Sequence, residues 1–303
     1  MTKSTTLKDW IEAFRLRTLP LALASVVLGS LLALADGQFR WIIFRLALIT
    51  TVFLQILANL ANDYGDTLHG ADTAERIGPQ RGLQSGAITP AKMRIAIGVF
   101  VLLSSLTGVG LIVAGTGGTA WGGSAVFVVL GLGALAAAIK YTIGKRPYGY
   151  AGYGDLFVFL FFGLIGVIGT YYLHTHRFYW SLLLPAGSIG LLSVGVLNIN
   201  NMRDHLQDAK AGKRTVVVKI GFPRAKIYHL GLILSAIILS IIFISFNYSS
   251  SLKFLFLIIA PVMIRHAVEV FRLKEPEKLD PYLKKLAINT FLFALLLGVS
   301  VNL

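Results

Sequence analysis

The chain contains no cysteine, which excludes disulfides, thiolate metal centres and cysteine nucleophiles. Charge is scarce too: 14% of the 303 residues are Asp, Glu, Lys or Arg, against about 25% in ordinary soluble domains. Acid is the rarer sign, with 14 Asp and Glu beside 28 Lys and Arg. Apolar residues fill the space, at 55% of the chain and a mean hydropathy of +0.73, and this predicts an all-α, multi-pass membrane protein. The segment before Leu19 is polar and mixed in charge, so the first apolar run is expected to be a retained helix and not a cleaved signal.

Spans of roughly 20 apolar residues cross a hydrocarbon core of about 30 Å. Nine are predicted, over residues 19 to 35, 41 to 61, 95 to 115, 120 to 139, 155 to 173, 178 to 200, 227 to 247, 253 to 271 and 286 to 302. The net charge of +14 needs no nucleic-acid partner, because the Lys and Arg alternate between faces. Twenty-four of the 28 fall before the first span or on even-numbered loops, leaving Arg40, Arg177 and Lys253 opposite and Arg45 within a span. The positive-inside rule then places the N-terminus and the even-numbered loops at the cytoplasmic side of an inner membrane. Glycines 108, 110, 131, 133, 163, 166 and 169 suit either close helix contacts or ordinary membrane-helix usage.

In a chain so poor in acid, two clusters stand out: Asn62-Asp63-Tyr64-Gly65-Asp66 with Asp72 beyond it, and Asn200-Asn201-Met202-Arg203-Asp204 with Asp208. Each closes a span, and both fall on the cytoplasmic side. A shift of 138 positions carries Asn62 onto Asn200 and Asp66 onto Asp204, a faint trace of a parallel four-helix repeat. If the helices run on, residues three and four apart share a face, and like charges so placed repel. Solvated helix ends and caps would explain one cluster. Two on one side point to a divalent cation, Mg²⁺, which takes one or two carboxylates and completes its shell with water and substrate phosphate.

Cations that can grip phosphate lie nearby: Arg76 and Arg81, then Lys140, Lys145 and Arg146, then Arg203, Lys213 and Arg214. Arg81 sits in the glycine-rich Ile77–Gly86 stretch, which lacks the Gly-x-x-x-x-Gly-Lys pattern of a phosphate loop. Tyr141, Tyr148, Tyr150 and Tyr153 form either an aromatic lid or an interfacial belt. Asp155, opening an apolar helix, is either a proton acceptor or a favourable charge at a helix N-terminus.

Asn62-Asp63-x-x-Asp66, Asp72, Asp204-x-x-x-Asp208 and nine spans together resemble the UbiA superfamily of intramembrane aromatic prenyltransferases, over nearly the whole chain as one transmembrane domain, 1–303. The stretches 60–66, 76–82, 144–150 and 197–204 are similar to its branch in menaquinone synthesis. The resemblance implies transfer of a polyprenyl group from polyprenyl diphosphate to 1,4-dihydroxy-2-naphthoate, releasing carbon dioxide and diphosphate and leading to demethylmenaquinone, formed first as its quinol. It implies Mg²⁺ on Asp63, Asp66, Asp72, Asp204 and Asp208, and catalytic roles for Asp66, Asp204, Arg81 and Asp155. Substrate contacts are expected from Asn62, Arg76, Lys140, Lys145, Arg146, Tyr148, Asn200, Asn201, Arg203 and Lys213. The third acid departs from the pattern, since Asp72 follows Asp66 by six residues where other branches often use four. Another aromatic acceptor, such as 4-hydroxybenzoate, is the alternative within the family. A secondary transporter is the alternative outside it, but it would need polar groups midway through several spans, where few occur. Isoprenoid length and oligomeric state are not encoded in these motifs.

Overall fold

The computed structural model describes residues 5–70, 81–117 and 121–303. The described residues contain no strand. A short helix α1 (Leu7–Phe14), not anticipated from sequence, is capped by reciprocal bonds between Thr6 and Asp9. The long helices are α2 (Leu19–Ala35), α3 (Trp41–Leu68), α4 (Pro90–Thr116) and α5 (Trp121–Lys140). After the one-turn α6 (Tyr148–Ala151) come α7 (Gly154–Thr175), α8 (Leu183–Lys210) and the short α9 (Val216–Ile220). The chain ends with α10 (Phe222–Asn247), α11 (Leu252–Arg272) and α12 (Asp280–Ser300). Eight of the helical stretches are long and apolar enough to cross a membrane, and α5 adds a further apolar helix, as the nine predicted spans required.

In lipid every backbone polar group must be satisfied within the protein, and helices do so inside each span. α8 is the most enclosed span, packed against α7, α10 and α12, whereas α4 lies at the periphery. Ile95, Leu102, Leu106, Val109 and Val113 recur at helical spacing on α4 and face outward, as lipid contact requires. Close approach elsewhere depends on glycine. A Cβ at Gly163 would stand 2.7 Å from Gly190 Cα on α8, and one at Gly166 would stand 2.7 Å from Ser25 Cβ on α2. Of the glycines singled out by sequence, these two are packing contacts; at 108, 110, 131, 133 and 169 a Cβ would meet nothing closer than 3.7 Å. The middle of α7, Phe159–Gly169, is π-helical, a winding that often accompanies functional sites.

Helices α3 and α8 each run 28 residues, about 42 Å, and so overreach the hydrocarbon core. Counting about 20 residues from Trp41 and Leu183 puts their exits near 61 and 203. Both acidic clusters therefore stand on the emerging last turns of continuous helices, as the four-residue spacings anticipated.

Candidate functional site

The two emerging turns meet. Lys213, on the loop following α8, places its Nζ 2.9 Å from Asp66 Oδ1 and 3.6 Å from Asp208 Oδ1. One ammonium thus spans acids 142 positions apart in the chain. Asp63, Asp66, Asp204 and Asp208 are all buried, and burying a carboxylate is costly unless it is paired. The structure supplies the pairing. Arg81, itself buried, donates from Nη1 to Asp66 Oδ2 at 2.8 Å and to the Asn62 carbonyl at 3.2 Å, with its Nε 3.3 Å from Asp63 Oδ1. Arg15 donates to the same oxygen of Asp63.

Arg203 grips Asp204 with two bonds, Nε to Oδ1 at 2.8 Å and Nη2 to Oδ2 at 2.7 Å, and donates also to Asn200 Oδ1 and to Asp280. At 1% exposure Arg203 directs these four bonds to partners within the protein. Asp280 opens α12 and also pairs with Arg17 at 3.0 Å.

The 141–150 segment covers this charged head. Thr142 Oγ1 donates to the Ala61 carbonyl at 3.0 Å and presses on Gly65, where a side chain would collide with it. Tyr150 donates its hydroxyl to Asp66 Oδ1 at 3.0 Å, and Lys213 Nζ lies 4.9 Å from its ring centroid. Burial, and next the Asp66 charge, pushes the phenols of Tyr141 and Tyr150 well above their usual range, so both stay protonated. Tyr148 is raised by burial as well and stacks on Phe157, centroids 4.1 Å apart. Tyr153 is exposed. Three of the four tyrosines thus belong to the site, and one does not.

Directly beneath lies a cavity of about 410 Å³. Its charged end is bordered by Arg15, Asn59, Asn62, Asn200, Tyr141 and Tyr148, and its walls by apolar residues of α2, α3, α4, α5 and α7. Ala47 borders it too, fifteen residues before Asn62, so the cavity reaches about 22 Å along α3. A second, almost wholly apolar cavity of about 460 Å³ between α5 and α7 shares Phe127, Leu130, Ile165 and Gly169 with the first. Asn62 Oδ1 is buried without a hydrogen-bond partner.

Several expected residues lie elsewhere. Lys140, Lys145 and Arg146 are exposed and do not border the cavity. Arg214 is exposed too, with its backbone N–H on the Tyr150 carbonyl. Asp155 does not border the cavity either; it accepts from the Tyr228 hydroxyl at 3.0 Å and opens α7, the helix-terminal charge of its simpler reading. Asn201 is buried on α8 and Lys213 lies at the centre, whereas Asp72 and Arg76 fall outside the described residues. Sequence reasoning missed Arg15, Arg17 and Asp280. Arg15 and Arg17 sit two positions apart and Asp280 lies among Glu275, Glu277, Lys278 and Lys284, so nothing in their segments singles them out, and only the fold brings their partners near.

A polar head over an apolar cavity, inside a helical membrane bundle, defines an intramembrane protein for amphiphiles. A family model described as UbiA prenyltransferase family matches residues 22–296, and the chain belongs to that family. It is 44% identical over 300 residues to the 1,4-dihydroxy-2-naphthoate octaprenyltransferase of Haemophilus influenzae, covering 97% of this chain and 96% of that one. To the Escherichia coli protein of the same description it is 41% identical, covering 97% and 95%. The solved structure of a UbiA homolog from Archaeoglobus fulgidus bound to GPP and Mg²⁺ shares the fold, with a TM-score of 0.66 at 17% identity over 97% of this chain and 99% of that one.

Proposed function

We propose that the protein transfers a polyprenyl group from its diphosphate to 1,4-dihydroxy-2-naphthoate, with loss of carbon dioxide and diphosphate, at the cytoplasmic side of the inner membrane. The observation that carries this reading is the meeting of Asp66 and Asp208 at Lys213, next to the Arg15 and Asn62 end of a cavity with mainly apolar walls. A charged head with a long apolar tail needs those two environments in that order. The similarity to relatives described as acting on 1,4-dihydroxy-2-naphthoate supports the acceptor.

The donor chemistry of the site fits Mg²⁺: carboxylates and the unpartnered Asn62 Oδ1 are hard oxygens of the kind it selects. Among the described residues no three His, Cys, Asp or Glu already converge as a metal cluster; ammonium and guanidinium groups stand among the carboxylates instead. Asp63, Asp66, Asp204 and Asp208 would hold the ion, with Asn62 beside them and Asp72 a further candidate. When bound, Mg²⁺ supplies charge neutralisation for the departing diphosphate.

The chain's own residues do the rest. Arg81, Arg15 and Lys213 offer donors toward diphosphate oxygens as their bonds to Asp63, Asp66 and Asp208 are relaxed, stabilising the charge that develops as the carbon–oxygen bond breaks. Asn62 and Asn200 border the junction of head and tail and orient the reacting carbon. Tyr141 and Tyr148 wall the same junction, with ring faces suited to an allylic cation and its aromatic acceptor. The apolar walls keep water from quenching that cation. The ring carbon bearing the carboxylate forms the new bond, and the pair from the ring–carboxylate bond restores aromaticity as carbon dioxide departs. No ring proton has to be removed, which agrees with Asp155 lying off the cavity.

The test is purified protein with farnesyl diphosphate, Mg²⁺ and a panel of acceptors, read by product mass and by released diphosphate. Prenylated naphthol with stoichiometric carbon dioxide is expected. Turnover of 4-hydroxybenzoate in preference to the naphthoate, or no diphosphate release with any acceptor, overturns the assignment.

A further inference from the structure

Two arginines and two aspartates, whose charges cancel, meet beside the Asn200 corner of the cavity. Arg203 on α8 donates twice to Asp204, once to Asn200 Oδ1 and once to Asp280 Oδ1. The other oxygen of Asp280, Oδ2, accepts from Arg17 Nη1 at 3.0 Å. Asp280 on α12 is thereby shared by cations from two other segments, the turn between α1 and α2 and the end of α8, which lie 263 and 77 positions away in the chain. Arg203 and Asp204 are buried, whereas the Arg17 and Asp280 side chains each keep 30% exposure.

An acid at the first position of α12 suits the helix dipole by itself. Two observations ask more of Asp280. Its partner Arg203 is almost fully enclosed, and a buried guanidinium needs carboxylate to offset its charge. The remaining partners of Arg203 are Asn200, which borders the cavity, and Asp204, one of the acids placed to hold Mg²⁺. A carboxylate has about four lone-pair sites, so Asp204 can keep both Arg203 bonds and still face a metal. Its single negative charge cannot be divided so freely. When a divalent ion draws on that charge, Arg203 stays compensated through Asp280. Arg17 acts in the opposite sense, because it holds the Asp280 oxygen that Arg203 does not.

We propose, resting on the prenyl-transfer reading with Mg²⁺ as its ion, that Asp280 is a positioning residue for the metal side of the site. It remains the counterion of Arg203 while Asp204 serves the metal, so that Arg203, and with it Asn200, keep their places beside the cavity. Arg17 sets how much of the Asp280 charge is left for that task.

The experiment compares wild type with Asp280→Asn, Asp280→Glu, Arg17→Gln and Glu277→Gln, the last an exposed acid close to Asp280 in the chain and outside the group. The Mg²⁺ requirement is read twice. One reading is the concentration giving half-maximal transfer from farnesyl diphosphate. The other, without acceptor, is the midpoint of Mg²⁺-dependent thermal stabilisation with farnesyl thiolodiphosphate, a donor analogue that resists transfer. Asp280→Asn should raise both midpoints about fivefold or more, with excess Mg²⁺ recovering most of the rate. Arg17→Gln should lower both about threefold. Asp280→Glu should restore the wild-type midpoints, and Glu277→Gln should keep them. A charge that served only the helix start would lower the stability of the ligand-free protein and leave both midpoints in place.

Midpoints that stay put in Asp280→Asn, fail to fall in Arg17→Gln, or rise as far in Glu277→Gln each overturn the proposal. Should Asp280→Asn not fold, Arg17→Gln decides alone: a fall supports the proposal and its absence overturns it. Stabilisation midpoints that shift as stated while no naphthoate is prenylated would sink the reaction assigned above and leave the Asp280 role standing. Normal prenylation with unmoved midpoints would do the reverse.

Discussion

The two acidic clusters are compensated in opposite ways. On α8, Asp204 is clamped by the residue beside it, Arg203, whose remaining donors are tied to Asn200 and Asp280. On α3, Asp63 and Asp66 are neutralised by Arg15, Arg81 and Lys213, from three distant segments, and the Arg15 and Lys213 side chains retain 20% and 12% exposure. The first arrangement is closed, and suits a fixed wall. The second uses cations that can turn toward an incoming anion, and suits the half of the site that changes partners when substrate arrives. A charged site needs both: one side to hold geometry, the other to exchange charge without leaving any group buried and alone.

Substitutions can break this contrast, from strong to weak. Asp66→Asn should have the largest effect on turnover, about 10³-fold or more in kcat, since it removes the carboxylate on which Arg81, Lys213 and Tyr150 converge; monodispersity on size exclusion would show that the protein still folds. Arg203→Met should have the largest effect on stability. It takes both clamping bonds from Asp204 and leaves Asp280 with Arg17, costing about 3–5 kcal/mol and lowering the unfolding temperature in detergent. Lys213→Met should lower thermal stability less than Arg203→Met, because Asp66 keeps Arg81 and Tyr150 although Asp208 loses its cation, and should raise KM for the diphosphate donor about tenfold. Tyr150→Phe removes one hydrogen bond to a carboxylate and should lower kcat/KM about tenfold. Lys145→Gln with Arg146→Gln should change kcat/KM by about twofold at most, because both side chains are exposed and off the cavity. If Lys213→Met unfolded the protein while Arg203→Met merely slowed it, the assignment of fixed and exchanging halves would be the wrong way round.

Most of the architecture was legible in the sequence because a membrane span is specified by length and apolarity, both local properties. The first predicted span matches α2 at both ends, residues 19 and 35. The spans ending at 61 and 200 fell short, because α3 and α8 continue as polar helix to 68 and 210 after leaving the hydrocarbon, where hydropathy no longer reports helix. The acid clusters were visible because acids are rare here. Their cations were less so. Arg81 was marked by its glycine-rich surroundings, but Lys140, Lys145 and Arg146 carry the same composition signal and point outward. Arg15 and Asp280 gave no local signal, since their partners lie 48 and 77 positions away. Glycines told only half their story: sequence marks them as small, and only the fold separates Gly163, pressed against α8, from Gly131, facing empty cavity.

The central claim is that residues 66 and 208 face one another across a single diphosphate site. A natively cysteine-free chain allows this to be measured directly, with Asp66→Cys and Asp208→Cys combined and treated with the fluorogenic cross-linker dibromobimane. The double variant should give an intramolecular fluorescent adduct that neither single variant gives. Thiols that each react singly with a monofunctional bimane, yet never bridge in the double variant, would contradict the account.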